Sequence, residues 1–198
     1  MKSPTPDDAA AADAAAASVD GSDAQRRRWS AMTIRFAAAV VAVLVPASVA
    51  AHRLPPPQPS PVFDPASFFA GRTVGTATLT VVLAKPTPVH VDGRGRVDGG
   101  VLTLDQTVAE GGKAATTRQW TFRPAGPGRY AGTLSDAAGP VAGEVTGNRL
   151  HLHFKMTGGI VADQRIDLAA DGQSAHNRMT FRKFGIVVAR LDEIIRRL

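Results

Sequence analysis

The chain is 198 residues long, 44% of its residues are apolar, and it contains no cysteine. The absence of cysteine excludes disulfides, thiolate metal sites and lipid attachment through an N-terminal cysteine. The formal net charge is +6, and this excess lies beyond residue 51, because the first 51 residues contain five basic and five acidic side chains. Positive charge suits an anionic partner such as a lipid headgroup. The basic residues beyond residue 51 are scattered rather than forming one continuous patch, which argues against a nucleic-acid partner.

The first 51 residues are predicted to lie outside the folded domain. Residues 1–25 are rich in Ala and Asp, and they have too little apolar surface to offset the cost of ordering, which predicts a disordered tail. Residues 26–51 open on the basic cluster Arg26, Arg27 and Arg28 and end in an apolar stretch. That stretch, residues 36–51, is shorter than the roughly 20 residues of a transmembrane helix and close to the apolar region of a signal peptide.

Residues 26–51 therefore have two interpretations, which the sequence leaves open. The small residues after Pro46 resemble a signal-peptide cleavage site, with cleavage after Ala50 or Ala51. Alternatively, residues 36–51 stay uncleaved and anchor the chain in the inner membrane, with the arginine cluster on the cytoplasmic side. Both interpretations predict an exported bacterial protein that lies in the periplasm or cell envelope. Only the uncleaved anchor would keep the chain at a membrane surface through its N-terminal segment.

A proline-rich linker at 52–62 is predicted to precede a β-barrel domain at 63–198. In that domain, glycine-based turn signals recur about every ten to twelve residues, and the short segments between them alternate between apolar and polar side chains. This pattern is typical of antiparallel meanders. It predicts an all-β fold, a single antiparallel up-and-down barrel of about eight to nine strands. The predicted strands are 73–83, 89–97, 101–108, 116–123, 129–136, 141–145, 148–156, 160–169 and 178–184.

The last segment of the chain has a different period. From Phe184 to Leu198, apolar residues recur at helical spacing, with charged residues between them. This spacing predicts an amphipathic C-terminal helix. We expect that helix either to lie against the barrel or to touch a membrane surface.

A series of short motifs runs through the domain in a characteristic order. They are Phe68-Phe69-Ala70-Gly71, Leu104-Asp105-Gln106, Arg118-Gln119-Trp120, Tyr130-Ala131-Gly132-Thr133, Asp136, Gly143, Gly147-Asn148, Asn177-Arg178-Met179 and Lys183-Phe184-Gly185. In order and spacing, from Phe63 to Arg190, the chain resembles a family of small bacterial envelope lipoproteins known as domain of unknown function 3833. The resemblance implies a lipocalin-like barrel at the cell envelope, with no established activity and no catalytic residues. Members commonly carry a lipid-modified cysteine, which this chain lacks, so lipid anchoring is not implied.

Four residues form the candidate ligand-binding site. Arg118 shares a strand face with Trp120, and Asp136 shares one with Tyr130, so both charges point toward the side that must be buried. A hairpin that turns near residues 126–127 would place Asp136 diagonal to Arg118, where the two charges would pair, because an unpaired buried charge is costly. The pair would either close one end of the barrel or anchor the acidic head of a ligand, since the arginine fork binds carboxylate or phosphate with two donors.

The predicted interior favours a binding function. Leu150, Leu152, Phe154 and Trp120 would line it, and a barrel of this size either fills its interior or keeps a small cavity. Inward positions with small residues would either leave space or mark bends that close the barrel; they are Gly75, Ala77, Gly132 and Gly143. We therefore expect an envelope-associated barrel that binds an apolar or acidic-lipid ligand and needs no cofactor.

The alternative function is a metal-dependent enzyme that uses His151 and His153. Two imidazoles two residues apart on one strand face are a common arrangement in β-barrel metal sites. However, they share that face with Arg149 and Lys155, which indicates a solvent-facing surface, and the spacing fixes no third ligand. The sequence also has no Gly-x-Ser-x-Gly nucleophile motif. We therefore favour a binding protein over an enzyme and expect no metal at these histidines.

Overall fold

The computed structural model describes residues 54–198. The predicted tail at 1–25 and the predicted export segment at 26–51 lie outside the described residues. Within the part of the chain that is described, no helix is long and apolar enough to cross a membrane.

Ten antiparallel strands form a closed barrel, in which consecutive strands pair and β10 returns to pair with β1. The predicted all-β barrel is therefore confirmed, with one strand more than expected. A short helix, α1 (Pro65–Phe69), precedes the first strand. The strands are β1 (Gly71–Val81), β2 (Thr87–Asp98), β3 (Val101–Glu110), β4 (Thr116–Pro124), β5 (Arg129–Leu134), β6 (Val141–Thr146), β7 (Arg149–Met156), β8 (Ile160–Leu168), β9 (Ser174–Lys183) and β10 (Ile186–Arg197).

The predicted C-terminal helix is wrong, because these residues form strand β10. Ala189, Glu193 and Ile195 are buried and point into the barrel, as a period of two requires. The sequence hides this period because Glu193 is polar although it points inward, while the outward Ile194 is apolar. In addition, the pairing of β10 with β9 shifts between Val187 and Ala189. Pairing with β10 gives β1 and β9 the partner strand that would otherwise be missing from their open edges.

The segment before β1 closes one end of the barrel, which we call the closed end. Phe63, Phe68 and Phe69 are buried there, and the rings of the last two lie edge to face with centroids 4.9 Å apart. Gln58, within the predicted linker, also contacts the barrel. Its backbone N–H donates to Asn148 Oδ1 over 2.7 Å, and its carbonyl accepts from the Asn148 N–H over 2.8 Å. The chain therefore begins to contact the barrel several residues before residue 63.

The opposite end, which we call the mouth, is formed by the turns that follow β1, β3, β5, β7 and β9. The segment 135–140 folds across one side of it, where the Ala138 N–H donates to the Lys155 carbonyl over 2.8 Å. Beneath this segment the inward side chains Met156 and Ile160 are buried. The mouth is therefore covered on the side of β7 and β8.

Candidate ligand-binding site

Inward-pointing side chains are buried unevenly along the barrel. Toward the closed end, Leu102 and Leu150 are fully buried. Toward the mouth, Leu79, Val108 and Leu191 pack against buried core residues but remain partly exposed. Since strand alternation points these three side chains inward, their exposure indicates an opening into the barrel on the side of β1, β3 and β10. This opening, the mouth recess, is lined by Leu79, Val108, Phe181 and Leu191 and by the polar side chains of Gln106 and Arg118.

A fixed guanidinium forms the polar part of the mouth recess. Arg118 lies opposite Gln106 in the β3–β4 pair, and its Nε donates to Gln106 Oε1 over 2.8 Å. The same oxygen accepts from Trp120 Nε1 over 2.9 Å. Trp120 is itself buried, stacked on Phe122 with ring centroids 5.5 Å apart. Within residues 54–198 the two terminal nitrogens of Arg118 have no hydrogen-bond partner, so their donors are available to a ligand.

Three buried polar side chains form a hydrogen-bonded ladder across β8, β9 and β10. Gln164 Nε2 donates to Asn177 Oδ1 over 3.0 Å, and Asn177 Nδ2 donates to Glu193 Oε2 over 2.6 Å. The exposed fractions of these residues are 6% for Gln164, 3% for Asn177 and 5% for Glu193. Gln164 Oε1 has no partner in the described residues. Buried polar groups normally need partners, so this ladder is a sensitive part of the barrel interior.

The charges of the ladder and of the mouth recess act on each other. Burial raises the pKa of the Glu193 carboxyl, while the hydrogen bond from Asn177 and the charge of Arg118 act in the opposite direction. Burial also lowers the pKa of the Arg118 guanidinium, against the charges of Asp136 and Glu193, which raise it. The guanidinium remains protonated in proteins. The interior therefore holds one fixed cation near a carboxyl that is easier to protonate than usual.

The expected direct contact between Arg118 and Asp136 does not form. Strands β4 and β5 do not pair in the register that would place Asp136 diagonal to Arg118; they pair with Trp120 opposite Leu134. This register would bring Asp136 directly opposite Arg118, but β5 ends at Leu134 and the chain then turns toward β7. Asp136 instead accepts a hydrogen bond from Ser135 Oγ over 2.7 Å. Its charge still acts on Arg118, although no salt bridge joins them within residues 54–198.

Tyr130 lies apart from the other candidate residues. It pairs with Pro124 at the far end of the β4–β5 hairpin, toward the closed end. Burial raises the pKa of its hydroxyl, and so does the negative charge of Asp64, whose side chain caps the N-terminus of α1. The structure therefore brings Arg118 and Trp120 together and places Tyr130 outside the mouth recess.

The inward glycines do not leave the space that one interpretation of the sequence required. A Cβ atom at Gly75 would overlap the Glu193 carboxylate, and one at Gly132 would overlap the carbonyl of Thr121. At Gly143 a Cβ would lie 2.8 Å from a leucine side chain of β7. In all three places glycine permits a close approach of neighbouring atoms. The opening lies nearer the mouth instead.

His151 and His153 lie on the outer face of β7, beside Asp163. His151 Nε2 is 2.9 Å from Asp163 Oδ2, and His153 Nδ1 is 3.9 Å from the same oxygen. Arg165 Nη1 contacts the other carboxylate oxygen over 2.7 Å. Among the described residues, no group of three or more His, Asp or Glu side chains is arranged to hold a metal ion. The absence of metal at these histidines stays a prediction.

Sequence comparison covers almost the whole described domain. The profile of a family described as "Protein of unknown function (DUF3833)" matches residues 51–197. The chain belongs to this family. The resemblance that the motifs suggested is thereby confirmed. No curated protein matches the chain significantly.

Solved structures show that the DUF3833 barrel is a known architecture. An S-type phycobiliprotein lyase from Guillardia theta matches with a TM-score of 0.54 at 9% identity, covering 67% of this chain and 89% of that one. The Rv2717c protein from M. tuberculosis matches with a TM-score of 0.53 at 17% identity, covering 68% and 98%. A DUF3598 family protein from Nostoc punctiforme matches with a TM-score of 0.51 at 12% identity, covering 70% and 50%. At these identities the likeness concerns the fold alone.

Sequence reasoning missed most polar residues of the DUF3833 interior. Gln164 and Asn177 occupy inward positions of β8 and β9, and alternation within those strands could have identified them. Gln106 lies in a recognised motif but carried no assigned role. Glu193 could not be found, because its segment was interpreted as a helix.

Proposed function

We propose that this DUF3833 protein binds a small amphipathic molecule in the mouth recess, with an acidic head on Arg118. The observation that carries the proposal is that, within the described residues, the two terminal nitrogens of Arg118 have no hydrogen-bond partner and lie at an opening lined mainly by apolar side chains. Ligand pockets in proteins commonly combine apolar walls with a few fixed polar groups. The fold supports the proposal, because small closed barrels of this kind either fill their interior or hold one small ligand.

The geometry favours an acid over a neutral or basic head. Gln106 and Trp120 hold the Arg118 side chain in place, so its planar fork is oriented before a ligand arrives. Such a fork binds a carboxylate or phosphate through two parallel hydrogen bonds. Burial raises the pKa of Glu193, which favours the neutral form of this carboxyl and so weakens its repulsion of a bound anion. Leu79 and Leu191 supply apolar surface for the rest of the molecule.

The proposal can be tested with a fluorescent fatty acid, dansyl-labelled undecanoic acid, and its methyl ester. The full chain is titrated into each probe, and the increase in dansyl emission gives the Kd. We expect the acid to bind more tightly than the ester. Arg118→Met removes a charged hydrogen-bond donor, which is worth about 1.5–3 kcal/mol. The acid should therefore bind about tenfold or more weakly, while affinity for the ester stays unchanged.

Arg196→Met is the matched control, because Arg196 is an exposed arginine that points outward on β10. It removes the same charge from the chain and should leave the affinity for both probes unchanged. If Arg118→Met and Arg196→Met weaken binding of the acid equally, the head does not lie on Arg118. If the wild-type chain binds neither probe, the proposed class of ligand is wrong.

We further propose that the chain is exported, and that residues 26–51 direct this export. The support is the arginine cluster before the apolar stretch 36–51, as in signal peptides and signal anchors. A reporter enzyme that is active only outside the cytoplasm, fused after Leu198, should be active in a bacterial host. Deletion of residues 36–51 should abolish its activity. A wild-type fusion that stays inactive in the cytosol would contradict export.

A further inference from the structure

Two neighbouring turns at the mouth expose large apolar side chains. The exposed fraction is 93% for Leu83 and 90% for Phe184, and it is 57% for Val82 and 70% for Ile186. The turns adjoin, because β1 pairs with β10 and the Val82 N–H donates to the Val188 carbonyl over 3.0 Å. Single exposed apolar residues are ordinary, whereas a cluster marks an interaction surface. We call Val82, Leu83, Phe184 and Ile186 the apolar tip.

The backbone of the apolar tip is unfavourable for the residues that occupy it. Leu83 has φ of 63° and Phe184 has φ of 52°, both in the left-handed region. Glycine and asparagine adopt this region readily, whereas bulky side chains there are uncommon. Within the described barrel neither side chain is buried, so folding does not explain why large apolar residues stand at these two positions. An external apolar partner would explain both their size and their exposure.

Basic side chains border the apolar tip. Lys85 follows Leu83 in the first turn, and Arg182 and Lys183 precede Phe184 in the second. Lys183 Nζ lies 5.8 Å from the centre of the Phe184 ring. Residues 82–86 and 182–186 contain no acidic side chain. Exposed apolar side chains bordered by Lys and Arg match a bilayer interface. There the apolar side chains enter the acyl boundary and the basic side chains meet anionic headgroups.

We propose that the apolar tip inserts into the interface of a bilayer that contains anionic lipid. The occupant is a membrane surface rather than a protein, because the bordering charges are all positive and the apolar side chains project from narrow turns. The recess opens at the same end of the barrel. Insertion therefore gives an amphipathic ligand a direct route between bilayer and recess, but the membrane proposal does not depend on the ligand proposal.

The absence of cysteine allows a local test in the full chain. A cysteine replaces Leu83, is labelled with the environment-sensitive fluorophore NBD, and is mixed with phosphatidylglycerol–phosphatidylcholine vesicles or with phosphatidylcholine vesicles. The matched control is the same label on Val97→Cys, an exposed apolar position at the closed end. We expect the label at 83 to brighten several-fold and shift to the blue with anionic vesicles only. A nitroxide quencher on the lipid chains should then quench it, and the label at 97 should not respond.

A second substitution separates the tip from other membrane contacts of the chain. Phe184→Asn, which suits the left-handed backbone, should weaken the response of the label at 83 about tenfold in lipid concentration. The proposal is overturned if the labels at 83 and 97 respond equally, or if the chain sediments with vesicles while the label at 83 stays in water. It is also overturned if that label brightens without lipid as protein concentration rises, since the occupant would then be a second copy.

Discussion

Replacing Asn177 by leucine tests the buried ladder. Asn177 accepts from Gln164 Nε2 and donates to Glu193 Oε2. Leucine has a similar size and makes neither hydrogen bond, so the amide of Gln164 and the carboxyl of Glu193 each lose a partner. An unsatisfied buried polar group costs about 1–3 kcal/mol, and a charged one costs more. For two such groups, we expect Asn177→Leu to lower the free energy of unfolding by about 3–6 kcal/mol at neutral pH.

This loss should depend on pH in a defined direction. Burial raises the pKa of Glu193 in the folded state, so its contribution to stability is fully present below the unfolded pKa of about 4.3. That contribution is lost as pH rises through the folded pKa. The Asn177 hydrogen bond lowers this pKa, and removing the bond raises it further. The destabilisation caused by Asn177→Leu should therefore be larger at pH 7 than at pH 4.

The assay is urea unfolding of the full chain, followed by far-ultraviolet circular dichroism at both pH values. Glu193→Leu in the same chain provides the second arm of a double-mutant cycle. The double substitution leaves no buried carboxyl without a partner. It should therefore lower the free energy of unfolding by clearly less than the sum of the two single substitutions. A loss below about 1 kcal/mol for Asn177→Leu would refute the reasoning, because the buried partners would then be satisfied in another way. Strict additivity, or a loss that grows toward acid pH, would refute it equally.

Three further predictions concern single positions. Gly75→Ala should lower the free energy of unfolding by about 1–3 kcal/mol, since the new Cβ meets the Glu193 carboxylate; urea unfolding unchanged within error would contradict this. Leu83→Asn should raise the melting midpoint in calorimetry by about 2–4 °C, because asparagine relieves a left-handed backbone cost of about 1 kcal/mol; a lower midpoint would count against it. Metal analysis of the untagged chain should find no stoichiometric zinc or copper, and metal that disappears in His151→Ala would show the prediction to be wrong.

The sequence predicts the strands well but does not predict which side chains of neighbouring strands contact each other. Period-two alternation and glycine turns predict nine strands correctly, because both signals are local. Within each strand, the alternation of apolar and polar side chains shows which face is buried. The inward position of Trp120 follows from the same alternation. The alternation also points Arg118 inward, but it does not reveal that Gln106 is its hydrogen-bond partner, since that depends on how β3 pairs with β4.

By itself, the sequence determined the fold class, the family and the absence of cysteine chemistry, because these depend on local patterns and on composition. Only the tertiary structure decided that residues 186–197 form a strand. Their pattern resembles a helix until β1, more than a hundred residues earlier, supplies the pairing edge. The same closure brings Glu193 against Gly75, whereas the pairing of β9 with β10 joins Glu193 to Asn177. The polar interior therefore results from the register in which the strands pair, which the period within a single strand does not record.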